Sequence, residues 1–284
     1  MFHISLRSFL SVLFITGFGL FVQASSRMAI MGDAGLWGPP LDHLRRSLEL
    51  ANTRSVIMPG DNLYFGSYSV TWDIWKKTGF SFDVVALGNH NKGYPTEMLY
   101  FNMPGEYFSV VKNGARFFVL NSDNTNNEEQ QFAWLEQEFS KATEKLIFIV
   151  YHHPTFTVSE KHKWTEKKDF QLRMREFLKV HAGKITALII GHDHISTLVD
   201  FGSVPAILAG AGREVRSAQP VSYIEDGFAV ETRFLDDRTQ HWAQLEISED
   251  ASEAWVHWIR VSDQSNVCSA HLVAGRMRLD AKCR

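Results

Sequence analysis

The chain has 284 residues, 45% of them hydrophobic and 21% charged, with a net charge of −3. That size and composition exclude a disordered or fibrous chain and leave room for one large domain with a packed core. No basic run resembles a nucleic-acid tract, since residues 161–168 (KHKWTEKK) mix both signs and read as a solvated loop or helix start.

In chain order, Arg7 precedes an uncharged apolar stretch over 9–22, and Val22-Gln23-Ala24 then places small residues before Ser25. This layout predicts a secretory signal cleaved after Ala24 rather than a stable membrane anchor, because about 20 apolar residues are needed to span a bilayer. Loss of the signal's single charge, Arg7, would take the net charge from −3 to −4. One domain over 25–284, exported to the periplasm or the medium and monomeric, is expected. No Asn-x-Ser/Thr sequon occurs, which fits bacterial export better than a glycosylating route. In an oxidising compartment the two cysteines, Cys268 and Cys283, are expected to pair. The loop so closed contributes on the order of 3 kcal/mol.

Apolar strand-like runs then alternate with helical patterns. A strand at 28–31 leads to GDAG (32–35), and a helix over 41–51 carries Leu41, Leu44, Leu48 and Leu50 mostly on one face. Strands at 55–58 and 82–87 lead to GDNLY (60–64) and GNHN (88–91), and a helix is expected near 96–101. Runs at 107–111 and 116–121 flank Asn113-Gly114, a hairpin signal. A helix over 128–140 follows, with Phe132, Leu135 and Phe139 on one stripe. A strand at 145–150 leads to YHHP (151–154), a helix covers 166–181, and a strand at 185–190 leads to GHDH (191–194). Beyond Ile195 the texture is strands alone. Alternation followed by strands predicts an α/β fold in which a second sheet is completed by the C-terminal half. Loops leaving the carboxyl ends of such strands line the ligand crevice.

Each block offers oxygen or imidazole donors: Asp33, Asp61, Tyr64, Asn89, His90, His152, His192 and His194. Hard oxygens mixed with imidazoles suit iron, manganese or zinc. Taken singly, a GDN is a turn and an HHP a surface pair; five such blocks at successive strand ends point to a metal centre.

The order and identity of the blocks resemble the calcineurin-like metallophosphoesterases, and within them the small purple acid phosphatases, also called tartrate-resistant acid phosphatases. The resemblance runs from Gly32 to about Gly212. It implies two packed mixed β-sheets flanked by helices, a four-layer αββα sandwich, and a dinuclear centre of Fe(III) plus Fe(II), Zn or Mn. It places Asp33, Tyr64 and His194 on the first metal, Asp61 between both, and Asn89, His152 and His192 on the second. Gly32, Gly60, Gly88 and Gly191 would let the backbone turn sharply beside the ions. Gly35, where most of the superfamily has histidine, and Tyr64, three residues after Asp61, favour the iron–tyrosinate branch. The implied activity is a secreted phosphatase cleaving phosphomonoesters, small phosphorylated molecules, by hydroxide attack at the paired metals. His90 is the catalytic candidate, stabilising the transition state or protonating the leaving group. The family carries an acid where this chain has Asn91, and a neutral amide there is expected to lower the pKa of His90. His162 is a weaker catalytic candidate, and His153 and Arg213 are candidates for contacting substrate.

Most tryptophans read as core residues, while Trp37, in a Gly/Pro loop beside Asp33, could flank substrate. Loops over 34–43, 62–70 and 155–168 set the substrate and carry no readable code. A phosphodiesterase or nucleotide hydrolase of the same superfamily, or a non-catalytic metal-binding interaction protein, stays open.

Overall fold

The computed structural model describes residues 25–90, 93–123, 127–156, 158–159 and 168–283. The expected signal (1–24), Asn91, His162 and Trp164 lie outside the described residues.

In chain order the first half comprises β1 (Ser26–Ile30), α1 (Pro39–Leu50), β2 (Ser55–Pro59), α2 (Tyr68–Lys77), β3 (Ser81–Ala86), α3 (Tyr94–Phe101), β4 (Phe108–Lys112), β5 (Ala115–Val119) and α4 (Glu128–Lys141). It continues with β6 (Ile147–Tyr151), α5 (Lys168–His181), β7 (Ala187–Ile190), β8 (Ser196–Phe201) and β9 (Val204–Ala209). Six strands end the chain: β10 (Ser222–Glu225), β11 (Phe228–Asp236), β12 (His241–Ile247), β13 (Ala254–Arg260), β14 (Asn266–Val273) and β15 (Arg276–Leu279).

The strands form two mixed sheets, a seven-stranded one in the order β15-β14-β13-β12-β1-β2-β3 and an eight-stranded one in the order β10-β11-β8-β9-β7-β6-β5-β4. β1, β2 and β3 run parallel, and so do β5, β6, β7 and β9. Strands β8 to β11 complete the eight-stranded sheet, as the sequence pattern suggests. A four-residue link (237–240) then carries the chain to β12 beside β1, so β12 to β15 complete the seven-stranded sheet as well.

Three apolar layers hold four structural ones. Met28, Ile57, Phe117, Phe148, Ile189 and Trp258 lie between the sheets, where both faces must exclude water. Leu44, Leu48, Trp72 and Trp75 pack the first helices on the outer face of the seven-stranded sheet, whereas Leu50, expected on the same face, is exposed because it lies off the stripe of Leu41, Leu44 and Leu48. Phe132, Leu135, Phe139, Phe170 and Met174 pack α4 and α5 on the eight-stranded one. This is the αββα sandwich expected.

Local chemistry explains the helix ends. Prolines open α1, the Ser67 hydroxyl accepts the Val70 N–H at the start of α2, and Glu128 and Glu129 fill the first turn of α4. Helix α2 went unforeseen, although Tyr68, Thr71, Trp72 and Trp75 form its buried stripe. The hairpin around Asn113-Gly114 is present, both residues having positive φ (51° and 76°) between β4 and β5. Cys268 and Cys283 form a disulfide across the C-terminal strands. Among the described residues no helix is long and apolar enough to cross a membrane.

Candidate metal centre

The loops that leave β1, β2, β3, β6 and β7 meet where the two sheets abut. Backbone hydrogen bonds stitch them together. Asp33 N donates to Gly60 O (3.1 Å), Gly191 N to His152 O (3.1 Å), and Gly32 N crosses to Ala209 O of the other sheet (2.6 Å).

The glycines of the blocks are needed chiefly for space. Among the four block-opening glycines only Gly60 has positive φ (98°), and a Cβ there would lie 2.5 Å from His152 Nδ1. Gly191 is required by approach alone, since its Cβ would sit 2.8 Å from Asp33 Oδ2. The sharp turning falls instead on candidate ligands: Asp33 (φ 55°), Asp61 (54°), His192 (72°) and His194 (52°) all adopt left-handed backbone. Four non-glycine residues held there mark strain concentrated at one site.

The donors gather in two groups. In the first, Tyr64 Oη is 3.1 Å from His194 Nε2 and 3.3 Å from Asp33 Oδ1, and His194 Nε2 is 3.3 Å from Asp33 Oδ1. In the second, His152 Nε2 is 3.3 Å from Asp61 Oδ1, 3.2 Å from Asn89 Oδ1 and 3.3 Å from His192 Nδ1. Asp33 Oδ1 and His152 Nε2, one from each group, are 4.0 Å apart. Every predicted ligand is therefore brought together.

A tetrahedral cation bound at 2.0–2.1 Å holds its donors about 3.4 Å apart, so both groups have the spacing of a coordination shell. Their electrostatics agree. His152 Nδ1 is anchored on the Pro59 carbonyl (2.8 Å), so Nε2 turns toward oxygens. Burial opposes charge on His152, yet the carboxylates of Asp61 and Asp33 outweigh it and raise its pKa to about 9. Burial works against the Asp61 carboxylate too, but His152 and the His90 backbone N–H (2.9 Å) hold its pKa well below the usual range. Burial, reinforced by Asp33 and Asp61, pushes the Tyr64 phenol far above its ordinary value. Without a cation the cluster calls for positive charge, and a proton on His152 supplies it. Groups of His and Asp here could hold a metal ion: Asp33 with Asp61 and His152, and His152 with His153 and His192.

Around the donors lies a half-exposed rim. His90 Nε2 stands 3.9 Å from Asp61 Oδ2, with its ring 4.6 Å from that of Tyr64. The Arg213 guanidinium lies over the Tyr64 ring at 4.6 Å. Trp37 (68% exposed) and Phe65 (64%) extend from the loops bearing Asp33 and Tyr64. These two loops share hydrogen bonds between Tyr64 N and Gly35 O and between Gly35 N and Asp61 O. A Cβ at position 35 would strike the backbone of Asn62 and Leu63, so a side chain cannot occupy it without displacing the Asp61 loop.

Four supporting residues were not foreseen. Ser122 Oγ is 2.9 Å from both the backbone N and Nδ1 of His153. Glu214 Oε1 is 3.2 Å from His194 Nδ1 and 2.8 Å from Arg216 Nη2. Glu97 accepts from Asn62 Nδ2 (2.6 Å) and Tyr68 Oη (3.0 Å). Asp193 is buried with neither carboxyl oxygen hydrogen-bonded among the described residues, and burial, with the charge of Asp33, raises its pKa to about 8. Only Ser122 had a signal: Asn121-Ser122-Asp123 ends an apolar run as the five blocks do.

No protein-family model and no curated protein matches the sequence. Among solved structures, the fold is similar to that of GAP50, the anchor in the inner membrane complex of Plasmodium, with a TM-score of 0.66 at 15% identity over 89% of this chain and 90% of that one. A looser match is YfcE, a phosphoesterase from E. coli (TM-score 0.44, 11% identity, 88% of this chain and 100% of that one). Another is a putative 5'-nucleotidase from Staphylococcus aureus (0.42, 14%, 75% and 54%). At these identities the likeness is one of fold, and function has to be argued from the site.

Proposed function

We propose that this chain is a metal-dependent phosphoesterase of the calcineurin-like superfamily, of the purple acid phosphatase type, acting on small phosphomonoesters after export. The observation that carries this reading is the pair of adjoining donor groups, each with coordination-shell spacing. Asp33 Oδ1 of one and His152 Nε2 of the other are 4.0 Å apart, so that two cations held there would be neighbours, as in two-metal hydrolases. Two cations bound there supply Lewis-acid polarisation of a phosphoryl group and a nucleophile from water near neutral pH.

The chain's own residues do the rest. Tyr64, Asp33 and His194 would hold one cation, Asn89, His152 and His192 the other, with Asp61 between. The Tyr64 phenol, too weakly acidic to ionise alone, needs a strongly charged cation to become a ligand, which favours ferric iron in that position. His90, half-exposed at the rim, is placed to hand a proton to the departing oxygen. Arg213 offers a guanidinium for a phosphate oxygen. The apolar stretch over 9–22 and the Cys268–Cys283 bond support export.

The test is metal analysis and a visible spectrum on the isolated protein, followed by assays on nitrophenyl monoester and diester substrates. Two equivalents of metal, a tyrosinate-to-iron band lost in Tyr64→Phe, and preferential monoester cleavage are expected. A colourless iron-loaded protein rejects the iron–tyrosinate assignment. Faster diester cleavage selects the phosphodiesterase, and two bound metals with no turnover select a non-catalytic metal protein.

A further inference from the structure

We infer that His153 is a third imidazole ligand of the cation on the His152 side, positioned by Ser122. This rests on the two-cation reading proposed above.

His152, His153 and His192 form a compact triangle. Ring centroids are 4.9 Å apart for His152 and His153, 4.5 Å for His153 and His192, and 5.1 Å for His152 and His192. One ligating nitrogen from each lies within 4.8 Å of the other two. His153 is 3% exposed, so it is built into the site rather than solvated beside it. Its ring faces two further imidazoles, an environment that packing alone does not call for.

Ser122 determines what the ring can do. Its fully buried hydroxyl oxygen accepts the His153 backbone N–H and lies equally close, at 2.9 Å, to Nδ1. A serine oxygen has two lone pairs and can take both N–H groups. In the tautomer that a metal selects, Nδ1 carries the proton and donates it to Ser122, and Nε2 presents the lone pair; in the other tautomer the Ser122 hydroxyl donates to Nδ1. Fixing the tautomer of a ligating histidine through its other nitrogen is how surrounding hydrogen bonds tune metal sites. His152 repeats the device, with Nδ1 on the Pro59 carbonyl and Nε2 turned to the donors.

The consequence is a division of labour between the cations. One position has phenol, carboxylate and a single imidazole. The other has three imidazoles, with Asn89 and the Asp61 carboxylate completing the shell. Three imidazoles and a carboxylate suit zinc or another borderline-soft divalent ion.

The experiment titrates metal-stripped, full-length protein with Zn(II) by calorimetry, then with Fe(III) by absorbance, in wild type, His153→Ala, His153→Gln and Ser122→Ala. Circular dichroism confirms that each is folded, and His153→Gln keeps the volume if His153→Ala does not fold. The expected result is a 10- to 100-fold loss of Zn(II) affinity at one site in both His153 variants (on the order of a lost ligand or its support) and a smaller loss in Ser122→Ala. The tyrosinate band on the other site stays unchanged. Wild-type Zn(II) affinity in the His153 variants, with a raised KM for a phosphomonoester, overturns the inference and makes His153 a substrate contact. A wild-type protein that takes up only one equivalent overturns the two-cation reading as well.

Discussion

The two sheets bring different chemistry to one point. The seven-stranded sheet delivers oxygen: Asp33 after β1, Asp61 and Tyr64 after β2, Asn89 after β3. The eight-stranded sheet delivers nitrogen: His152 and His153 after β6, His192 and His194 after β7. The remaining imidazole from the first sheet, His90, stands at the rim, outside both donor groups. Each donor group draws on both sheets: Asp33 and Tyr64 meet His194 in one, and Asp61 and Asn89 meet His152 and His192 in the other. On the proposed function, metal binding would therefore tie the two sheets together at their seam.

The sharpest way to break that arrangement is Asp61→Asn, because Asp61 is the carboxylate placed between the groups. Turnover of a phosphomonoester should fall by about 10³-fold or more, with metal content below two equivalents. Full metal content and near-normal turnover would mean that the two halves work without it.

Removing the metals should then loosen the seam. A ligand at about 1,000 times its Kd stabilises by about 4 kcal/mol, and for a chain of this size that corresponds to a drop in Tm on the order of 10 °C after chelation. Differential scanning calorimetry with and without chelator checks it. An unchanged Tm would show that the sheets are held by their apolar interface alone.

Glu97 sharpens the comparison on the oxygen side. It holds Asn62, whose neighbour is Asp61, while Asn62 also donates to Ala86 O (2.8 Å) and accepts from Trp72 Nε1 (2.7 Å). Burial raises its pKa from 4.5 to about 7, against the hydrogen bonds of Asn62 and Tyr68 and with the charge of Asp61. The folded value exceeds the unfolded one, so its contribution to stability is complete below pH 4.5 and is lost as pH rises to 7. At about 1.4 kcal/mol per pH unit the loss is about 3 kcal/mol. Glu97→Gln keeps the hydrogen-bonding shape and should flatten this slope in metal-free protein, read from Tm between pH 4.5 and 8. Identical slopes in the two proteins would remove Glu97 from the account.

What the sequence disclosed about this seam has a physical pattern. The predicted ligands were legible because their blocks follow buried strands, four of the five opening on a glycine, and strand ends in α/β sheets converge. Their grouping by sheet was not, since nothing in the order of blocks says that β12 returns beside β1. The glycines were visible but misread: backbone turning falls on Asp33, Asp61, His192 and His194, and the glycines make room. Glu97, Asp193 and Glu214 act through a single neighbouring side chain or sit inside a block already assigned, so no spacing marks them. Helix α2 hid because Tyr, Val, Thr and Trp favour strands as single residues, and only their stripe of 68, 71, 72 and 75 is helical.

The smallest expected effect tests whether the halves can be tuned separately. Glu214 reaches His194 Nδ1 at 3.2 Å and is itself paired with Arg216 through Nε (2.9 Å) and Nη2 (2.8 Å). Arg216 holds the Glu214 carboxyl below its usual range, with burial opposing, so Glu214 is an anion set beside His194 Nδ1 that favours the ring proton on that nitrogen. That leaves Nε2 as the nitrogen facing Tyr64 and Asp33, the carboxylate–imidazole–metal relay known to strengthen a ligand. A neutral amide in Glu214→Gln keeps the reach but loses the charge. Iron affinity on the Tyr64 side should fall by about 10-fold, toward 100-fold in Glu214→Ala, while Zn(II) affinity on the His152 side stays at its wild-type value. Equal losses on both sides would mean that the oxygen-rich and nitrogen-rich positions respond as one unit, and that the division between the sheets stops short of independent control.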